Sequence, residues 1–550
     1  MAWPTRNAPV ILLGAALLGS TVLLLTLQSD LTFFQDTWAF LMRRQEFTAG
    51  AFLDPHNEHI VVIPVAIEML LVALFGMTSA APEQVLLALL LAATAVLLFV
   101  YVRRRIGPWP ALYAAVLLLF VGPAWQVLLW PFEIGFVGSV CFGIATLLAL
   151  DRGDRRGDRI ACACLVVAIG FSSLGVAFAA GAAVDVLQRR RSHGLSRAYV
   201  PAVPALLYAA WWLGWGHTAE GHLSLDNVLA SPAYVFEGVA SSLDSLLGLS
   251  TIGVDGIGEP LWGRPILIVL VAAIVLAQIR KPGFSPRLWP AAAAMATSWM
   301  LTAFNFVPGR EAHSSRYVYA GAAFVLLVAA DLLRGTRLGR RGLAFGAVVT
   351  IAAVGPNLVA LRDGRDWFYE QTVLTRSDLA AIEIAHRTVD PLFTLAPETA
   401  GTPSLIDIQA DRYLAAVREH GSPAYAPAEL ATAPPAGRRQ ADVVLARALP
   451  LSTETILGGG DAGAPAGECV TVPGGGEEGV PLGPGITRIQ VPAGDEAAFS
   501  LGRFAAGYPV TTEGAPGGST TLLEIPADTV TRPWRLRVEA AQPVTVCVPG

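Results

Sequence analysis

Lysine is nearly missing from this chain. Lys281 is the only one among 550 residues. Schiff-base chemistry therefore has a single candidate, and any clamp on phosphate must be built from arginine, whose planar fork suits phosphate oxygens. Charge of either sign is scarce as well. Only 15% of the residues are charged, and the mean hydropathy is +0.54. That balance excludes an ordinary soluble domain and fits a polytopic membrane protein. Cysteine stops at five, without the C-x-x-C spacing of a zinc site. No Walker A, dinucleotide glycine motif or G-x-S-x-G stands in a suitable context, and the basic clusters leave no nucleic-acid footprint. Ala, Gly, Pro and Arg abound, the bias of a GC-rich bacterial gene.

What the chain does have is a series of apolar segments, at 9–27, 60–77, 85–102, 110–129, 134–150, 160–187, 199–215, 265–279, 288–306, 318–333 and 343–361. Basic clusters lie between them at 103–105, 152–159, 189–197, 280–281 and 334–341. The positive-inside rule puts all five in the cytoplasm together with Arg6. If 60–77 crossed, the cluster at 103–105 would fall outside. That segment holds Pro64 and Glu68 and is expected to be a non-crossing helix at the external face. The segment 160–187 is too long for one span and has cytoplasmic flanks, so a hairpin of two short spans turning at 171–175 is expected. The count becomes about eleven spans, N-terminus inside and C-terminus outside. The first span lacks an A-x-A site and reads as a retained anchor.

External loops then lie at 30–59, 125–133, 217–264 and 308–317, the third carrying an amphipathic surface helix at 233–250. After 361 the composition turns to Gly, Pro, Thr and Val. Residues 362–442 read as an external helical and mixed linker, and 443–550 as a small β-sandwich with strands near 487–491 and 534–538. The glycine runs at 458–460 and 474–476 read as turns. Cys469 and Cys547 are the only cysteines of that domain and are expected to bond. Cys141, Cys162 and Cys164 sit in apolar segments as small buried hydrophobes.

Ionisable groups at a membrane face are costly and usually functional. Asp36 follows the first span among Phe33, Phe34, Trp38 and Phe40. It is either a solvated acid in an aromatic belt or a general base in a semi-apolar pocket. His56-Asn57-Glu58-His59 is H-x-E-H and misses the zinc-protease helical spacings. A cluster that hydrogen-bonds a sugar or phosphate is the favoured reading over a metal site. Glu133 ends an aromatic stretch that is either an interface anchor or a sugar platform. Arg310 to Tyr317 is a basic run on the side where basic residues should be depleted. An internal Arg310–Glu311 pair is the bland account. The functional one has Arg316 gripping the phosphate of a lipid carrier.

Together these residues resemble the GT-C superfamily of integral-membrane glycosyltransferases, particularly bacterial members similar to the dolichyl-phosphate-mannose and aminoarabinose transferase families. The resemblance covers roughly residues 10–361: one span, an external loop with the early acid Asp36, and the basic motif of Arg310, Arg316 and Tyr317 before late spans. Gln35 and Thr37 flank Asp36, so the paired acids of an Asp-Asp or Asp-Glu signature are not present. The resemblance implies a GT-C-like membrane domain over 1–361, followed by the linker and β-rich domain. It implies transfer of a sugar from a polyprenyl-phosphate donor to a cell-envelope glycan or lipid acceptor, at the outer face of the cytoplasmic membrane. Asp36 would be catalytic, and His56, Glu58, His59, Glu133, Arg310, Arg316 and Tyr317 would bind substrate. No cofactor is assigned, a divalent cation being left open. The rivals are a non-catalytic transporter or flippase of lipid-linked precursors, which needs ionisable groups along its spans, and a structural envelope protein.

Overall fold

The computed structural model describes residues 3–549 apart from 45, 191–195, 251, 254–255, 281–282, 396–404, 406–407, 458–466, 474, 476–478 and 513. Lys281 and the glycine runs, Gly475 aside, lie outside the described residues. All eleven apolar segments are helical. The helices are α1 (Trp3–Gln28), α2 (Asp36–Arg43), α3 (Ala49–Leu53), α4 (Val62–Phe75), α5 (Ala81–Ile106), α6 (Pro108–Leu119), α7 (Trp125–Leu129) and α8 (Ile134–Leu150). There follow α9 (Arg155–Phe171), α10 (Gly175–Gln188), α11 (Tyr199–Gly214), α12 (Leu225–Leu246), α13 (Gly263–Arg280), α14 (Leu288–Phe304), α15 (Ser315–Leu332) and α16 (Arg340–Ile384). The chain forms two compact units, one of residues 1–30, 44–71 and 80–367, the other of 31–43, 72–79 and 368–550.

The first unit is the membrane bundle. Six described helices are long and apolar enough to cross a membrane, or seven if Pro108–Leu119 and Gly122–Leu129, bent by 46°, count as one span. At 14 residues, α4 is only about 21 Å long, short of the ~30 Å hydrocarbon core. The chain's own punctuation sets the breaks. Gly107 stops α5 at φ +100°, a conformation glycine adopts freely, and Pro108 opens α6. The expected hairpin is present, with α9 and α10 separated by Ser172–Ser173–Leu174. From α8, Ser139 Oγ donates to the carbonyls of Ala168 (2.6 Å) and Ser172 (3.2 Å), pinning that turn.

Small residues let the helices close up. A Cβ on Gly138 or Gly143 of α8 would come within 2.4 Å of Phe171 or 2.2 Å of Phe178. The Phe178 ring in turn packs 5.0 Å from Phe324 of α15. The same effect corrects the expectation of a surface helix at 233–250. Helix α12 starts earlier, at Leu225, and buries Gly238, Ser241, Ser242, Asp244 and Ser245. A Cβ on Gly238 would meet Trp299 at 2.4 Å. Its small polar residues are close-packed, not solvated. Helix α13 is apolar all round and leaves Ile268, Val269, Leu276 and Ile279 exposed, as a lipid-facing helix would. A two-residue ribbon, β1 (Ile252–Gly253) with β2 (Gly256–Ile257), completes the unit.

The second unit holds α2, α17 (Ala410–His420), α18 (Pro427–Thr432), α19 (Pro435–Ala448), the short pair β3 (Thr394–Leu395) and β4 (Ile408–Gln409), and the β-domain. Trp38 of α2 is fully buried; its Nε1 donates to the Phe33 carbonyl at 3.2 Å. The β-domain comprises β5 (Ser452–Leu457), β6 (Cys469–Val472), β7 (Val480–Leu482), β8 (Gly485–Gln490), β9 (Glu496–Gly502), β10 (Val510–Thr511), β11 (Ala515–Pro516), β12 (Ser519–Ile525), β13 (Trp534–Ala540) and β14 (Val544–Cys547). They form two five-stranded antiparallel sheets, ordered β10-β9-β13-β7 with β11 on β9, and β5-β12-β8-β14-β6. Alternation is clear in β13, which buries Trp534, Leu536 and Val538, the period of a half-buried strand. Cys469 and Cys547 stand opposite each other across β6 and β14 and are bonded. The fold class expected from the sequence, a helical polytopic bundle with a C-terminal β-rich domain, is the one observed. The boundary expected at 361 lies inside α16, a single helix of 45 residues.

Candidate active site

Within the first unit, the H-x-E-H motif forms a tight turn. His56 N–H donates to the His59 carbonyl and His59 N–H to that of His56, both at 3.0 Å. Asn57 takes φ +51°, which asparagine tolerates better than most residues. A turn aims the two imidazoles apart from any helical metal motif: the His56 ring packs 5.2 Å from Phe132 and the His59 ring 5.5 Å from Phe136. Among the described residues, no three His, Cys, Asp or Glu side chains are placed to hold a metal ion.

The peptide around the turn is held by side chains both near to it and far from it in sequence. Arg44 donates to the carbonyls of Ala51 (2.8 Å), Asp54 (3.1 Å) and Pro55 (3.1 Å). Trp211 Nε1 of α11 donates to the Leu53 carbonyl at 2.8 Å. Ser173, in the turn between α9 and α10, donates to the Glu58 carbonyl at 3.3 Å and accepts from Ile60 N–H at 3.3 Å. Tyr208 OH adds a bond to the same Ser173 oxygen at 3.4 Å.

This turn walls one side of a cavity of about 140 Å³, and the start of α15 and the end of α14 supply much of the rest. The start of α15 is fixed by Ser315, whose Oγ donates to the Pro123 carbonyl at 2.7 Å and accepts from Gln126 N–H at 3.1 Å. Arg310 Nη1 reaches Glu58 Oε1 at 2.6 Å, and His222 Nε2 lies 3.6 Å from the same oxygen. Tyr234 OH holds the Arg310 carbonyl at 2.8 Å. Arg316 has its guanidinium 5.8 Å from the Tyr317 ring and pairs with no carboxylate among the described residues. Burial pushes the His59 imidazole down to about 4; Glu58 opposes this, while His56, Arg310 and Arg316 reinforce it. His59 is therefore neutral at physiological pH. Two side-chain nitrogens of lining residues, His59 Nδ1 and Trp299 Nε1, are fully buried and have no hydrogen-bond partner among the described residues. Nearby stand Ser298, Thr302 and Asn305, polar positions along the end of α14. The arrangement offers one unpaired cation, uncharged hydrogen-bonding groups and apolar wall.

Of the residues singled out in the sequence, Glu58, His59, Arg310, Arg316 and Tyr317 line this one cavity. His56 belongs to the same turn but packs on Phe132. Glu133 is buried in a 3-10 turn, Pro131–Glu133, and is not among the lining residues. Asp36 is the first residue of α2 in the second unit, where an acid at a helix N-terminus is favourable in any case. The cavity itself is built from the first unit alone. Sequence reasoning missed Ser173, Tyr208, His222, Trp299 and the α14 residues. The spacing of Ser298, Thr302 and Asn305 at i, i+4 and i+7 was a readable polar stripe in an apolar helix. The 252-residue separation of Glu58 and Arg310 left no such signal.

No protein-family model matches this chain, and no curated protein sequence does. Among solved structures it is similar to ArnT from Cupriavidus metallidurans bound to undecaprenyl phosphate, at 14% identity and a TM-score of 0.49, over 74% of this chain and 85% of that one. It is also similar to the archaeal oligosaccharyltransferase AglB from Archaeoglobus fulgidus, in complex with an inhibitory peptide and a dolichol-phosphate, at 13% identity and 0.41, over 78% and 62%. A third is the arabinosyltransferase EmbB from Mycobacterium smegmatis, at 11% identity and 0.33, over 96% and 64%.

Proposed function

We propose that this multi-pass membrane protein is a glycosyltransferase that moves a sugar from a polyprenyl-phosphate donor to a cell-envelope glycan or lipid acceptor. The observation that carries the reading is Arg316: a guanidinium without a carboxylate partner, at the end of an apolar helix, in a cavity with both apolar and hydrogen-bonding walls. Such a group suits the phosphate of a lipid-linked ligand, since charge-assisted bonds to phosphate are strong and arginine presents them in a fork. It also suits the charge that builds on a departing phosphate as a glycosidic bond breaks. Asp36 is the candidate for the base that takes the proton of the acceptor hydroxyl. The proposal places the site on the extracytoplasmic side of a bacterial cytoplasmic membrane, opposite the basic clusters. No step in it uses a cofactor.

Purified protein supplied with a polyprenyl-phosphate-linked radiolabelled sugar and envelope glycan tests the reading. Transfer or slow hydrolysis of the donor is expected. Asp36→Asn should keep donor binding and cut turnover by about 10²–10⁴-fold. Donor that stays intact while the protein moves it across vesicles would replace the enzyme with a transporter. Among the ionisable groups of the apolar helices, Glu83 lies in the first turn of α5 and Arg105 in its last, and Glu68, midway along the short α4, is hydrogen-bonded to Glu83. That distribution does not favour the transporter reading.

A further inference from the structure

The segment that joins α14 to α15 carries Arg310, and Arg316 and Tyr317 follow it in the first turn of α15. Its sequence, Val307-Pro308-Gly309-Arg310, sets a tight turn. Arg310 N–H donates to the Val307 carbonyl at 3.0 Å, and Gly309 takes φ +88°, the proline and glycine standing where a type II turn wants them. The turn fixes the shape of the segment but not its place in the bundle. The last carbonyls of α14 are left over by the helical pattern as well, and need donors from outside it.

Those donors come from α12, none of whose described residues lines the cavity. Asn227 and Tyr234 stand at i and i+7 on that helix and so share a face. The two N–H groups of Asn227 Nδ2 are divided among the carbonyls of His222 (2.9 Å), Phe306 (3.0 Å) and Phe304 (3.2 Å). Tyr234 donates its hydroxyl to the Arg310 carbonyl at 2.8 Å. Its ring packs edge-on against Phe306 and Trp299, at 5.7 and 6.4 Å, and Arg316 and Tyr317 are near enough to act on its phenol electrostatically. Farther along the same face α12 is seated with little room to shift. A Cβ on Gly238 would meet Trp299 at 2.4 Å, and one on Gly321 of α15 would come within 2.2 Å of Ser242 Oγ. Resting on the glycosyltransferase reading, we propose that Asn227 and Tyr234 are positioning residues: α12 holds the 304–310 backbone by its carbonyls and so sets where Arg316 meets the lipid phosphate.

The test is binding of farnesyl phosphate to the full-length protein in detergent. Tyr234→Phe keeps the ring and deletes one hydrogen bond, and affinity should fall about three- to tenfold. Asn227→Ala, which removes the donor to three carbonyls, should cost at least as much. Tyr113→Phe serves as the control: it deletes a similar bond from α6 to the Leu343 carbonyl at 3.0 Å and should bind as the native protein does. Because Tyr234 works through Arg316, Tyr234→Phe should have no further effect in an Arg316→Gln background, the non-additivity of coupled sites. Native affinity in both Tyr234→Phe and Asn227→Ala overturns the inference. So does an equal loss in Tyr113→Phe, or a Tyr234→Phe loss that is the same with and without Arg316, since either makes the effect a general loosening of the fold. Those three results leave the lipid-phosphate reading standing as long as Arg316→Gln alone weakens binding. If Arg316→Gln weakens nothing, or if the native protein does not bind farnesyl phosphate, that reading falls and the positioning role falls with it.

Discussion

The two ends of the first unit treat arginine differently. At the end marked by the basic clusters, arginines are locked into aspartates. Arg105 Nε lies 2.5 Å from Asp331 and its Nη1 3.1 Å from Asp151, which also takes Arg287 at 3.0 Å. Tyr101 donates its hydroxyl to Asp331 as well. Arg197 lies 2.6 Å from Asp158 and 3.4 Å from Asp185, and Asp185 is shared with Arg189 at 2.8 Å. At the other end of the same helices α8, α9, α10, α14 and α15, Arg310 has Glu58 while Arg316 has no carboxylate. A buried arginine with two acids closes a bundle, because its charge is spent within the fold. An arginine left unmatched in a cavity keeps its charge for something that arrives.

The contrast breaks most visibly at the paired end. Asp331→Ala would leave Arg105, whose side chain is 3% exposed, with Asp151 as its remaining acid and would take the acceptor from the Tyr101 hydroxyl, and should destabilise the protein by about 1–3 kcal/mol, read as a lowered melting temperature in detergent. Ligand affinity should follow only through loss of folded protein. Retained stability would mean that water or lipid headgroups carry that end.

Arg316→Ala should do the reverse. Removing a charge that pairs with nothing in the fold should change stability by no more than about 0.5 kcal/mol. Binding of a polyprenyl phosphate should fall by about ten- to a hundredfold, the worth of a charge-assisted contact. A large drop in melting temperature would show that Arg316 is structural after all.

The smallest expected effect concerns pH. Burial holds the folded His59 pKa down to about 4, below its ordinary value near 6.5. The unfolded chain therefore binds more protons between those values. The contribution of His59 to stability is fully present above about pH 6.5 and is lost as pH falls toward about 4. His59→Gln should flatten that part of a melting-temperature profile. An unchanged slope in the variant would assign it to other groups.

Much of the fold was legible because lipid imposes length, polarity and charge bias on a chain. The turn at Ser172–Leu174, the short α4 and the alternating strands β8 and β13 all follow from such local patterns. What escaped depended on close packing. The segment at 233–250, with Glu237 and Asp244, read as an amphipathic surface helix, whereas Gly238 of α12 is packed against Trp299. The site divides the same way. Arg310, Arg316 and Tyr317 stood out as basic and aromatic residues on a side where arginine is depleted. Glu58 and His59 stood out as ionisable groups at a membrane face. Ser173 was an ordinary residue of an expected turn and Tyr208 and Trp299 ordinary residues of apolar helices, and only the tertiary fold brings them to a shared cavity. Asp36 was chosen for its place after the first span, and it begins a helix of the second unit.

The central claim is that the unpaired arginine end binds a lipid phosphate and the paired end does not. An experimental structure of the protein with farnesyl phosphate measures this directly. The account predicts the phosphate in the cavity, with its oxygens about 3 Å from the Arg316 guanidinium. A phosphate seated instead among Arg105, Arg197 and Arg287, with the Arg316 cavity empty, would contradict it.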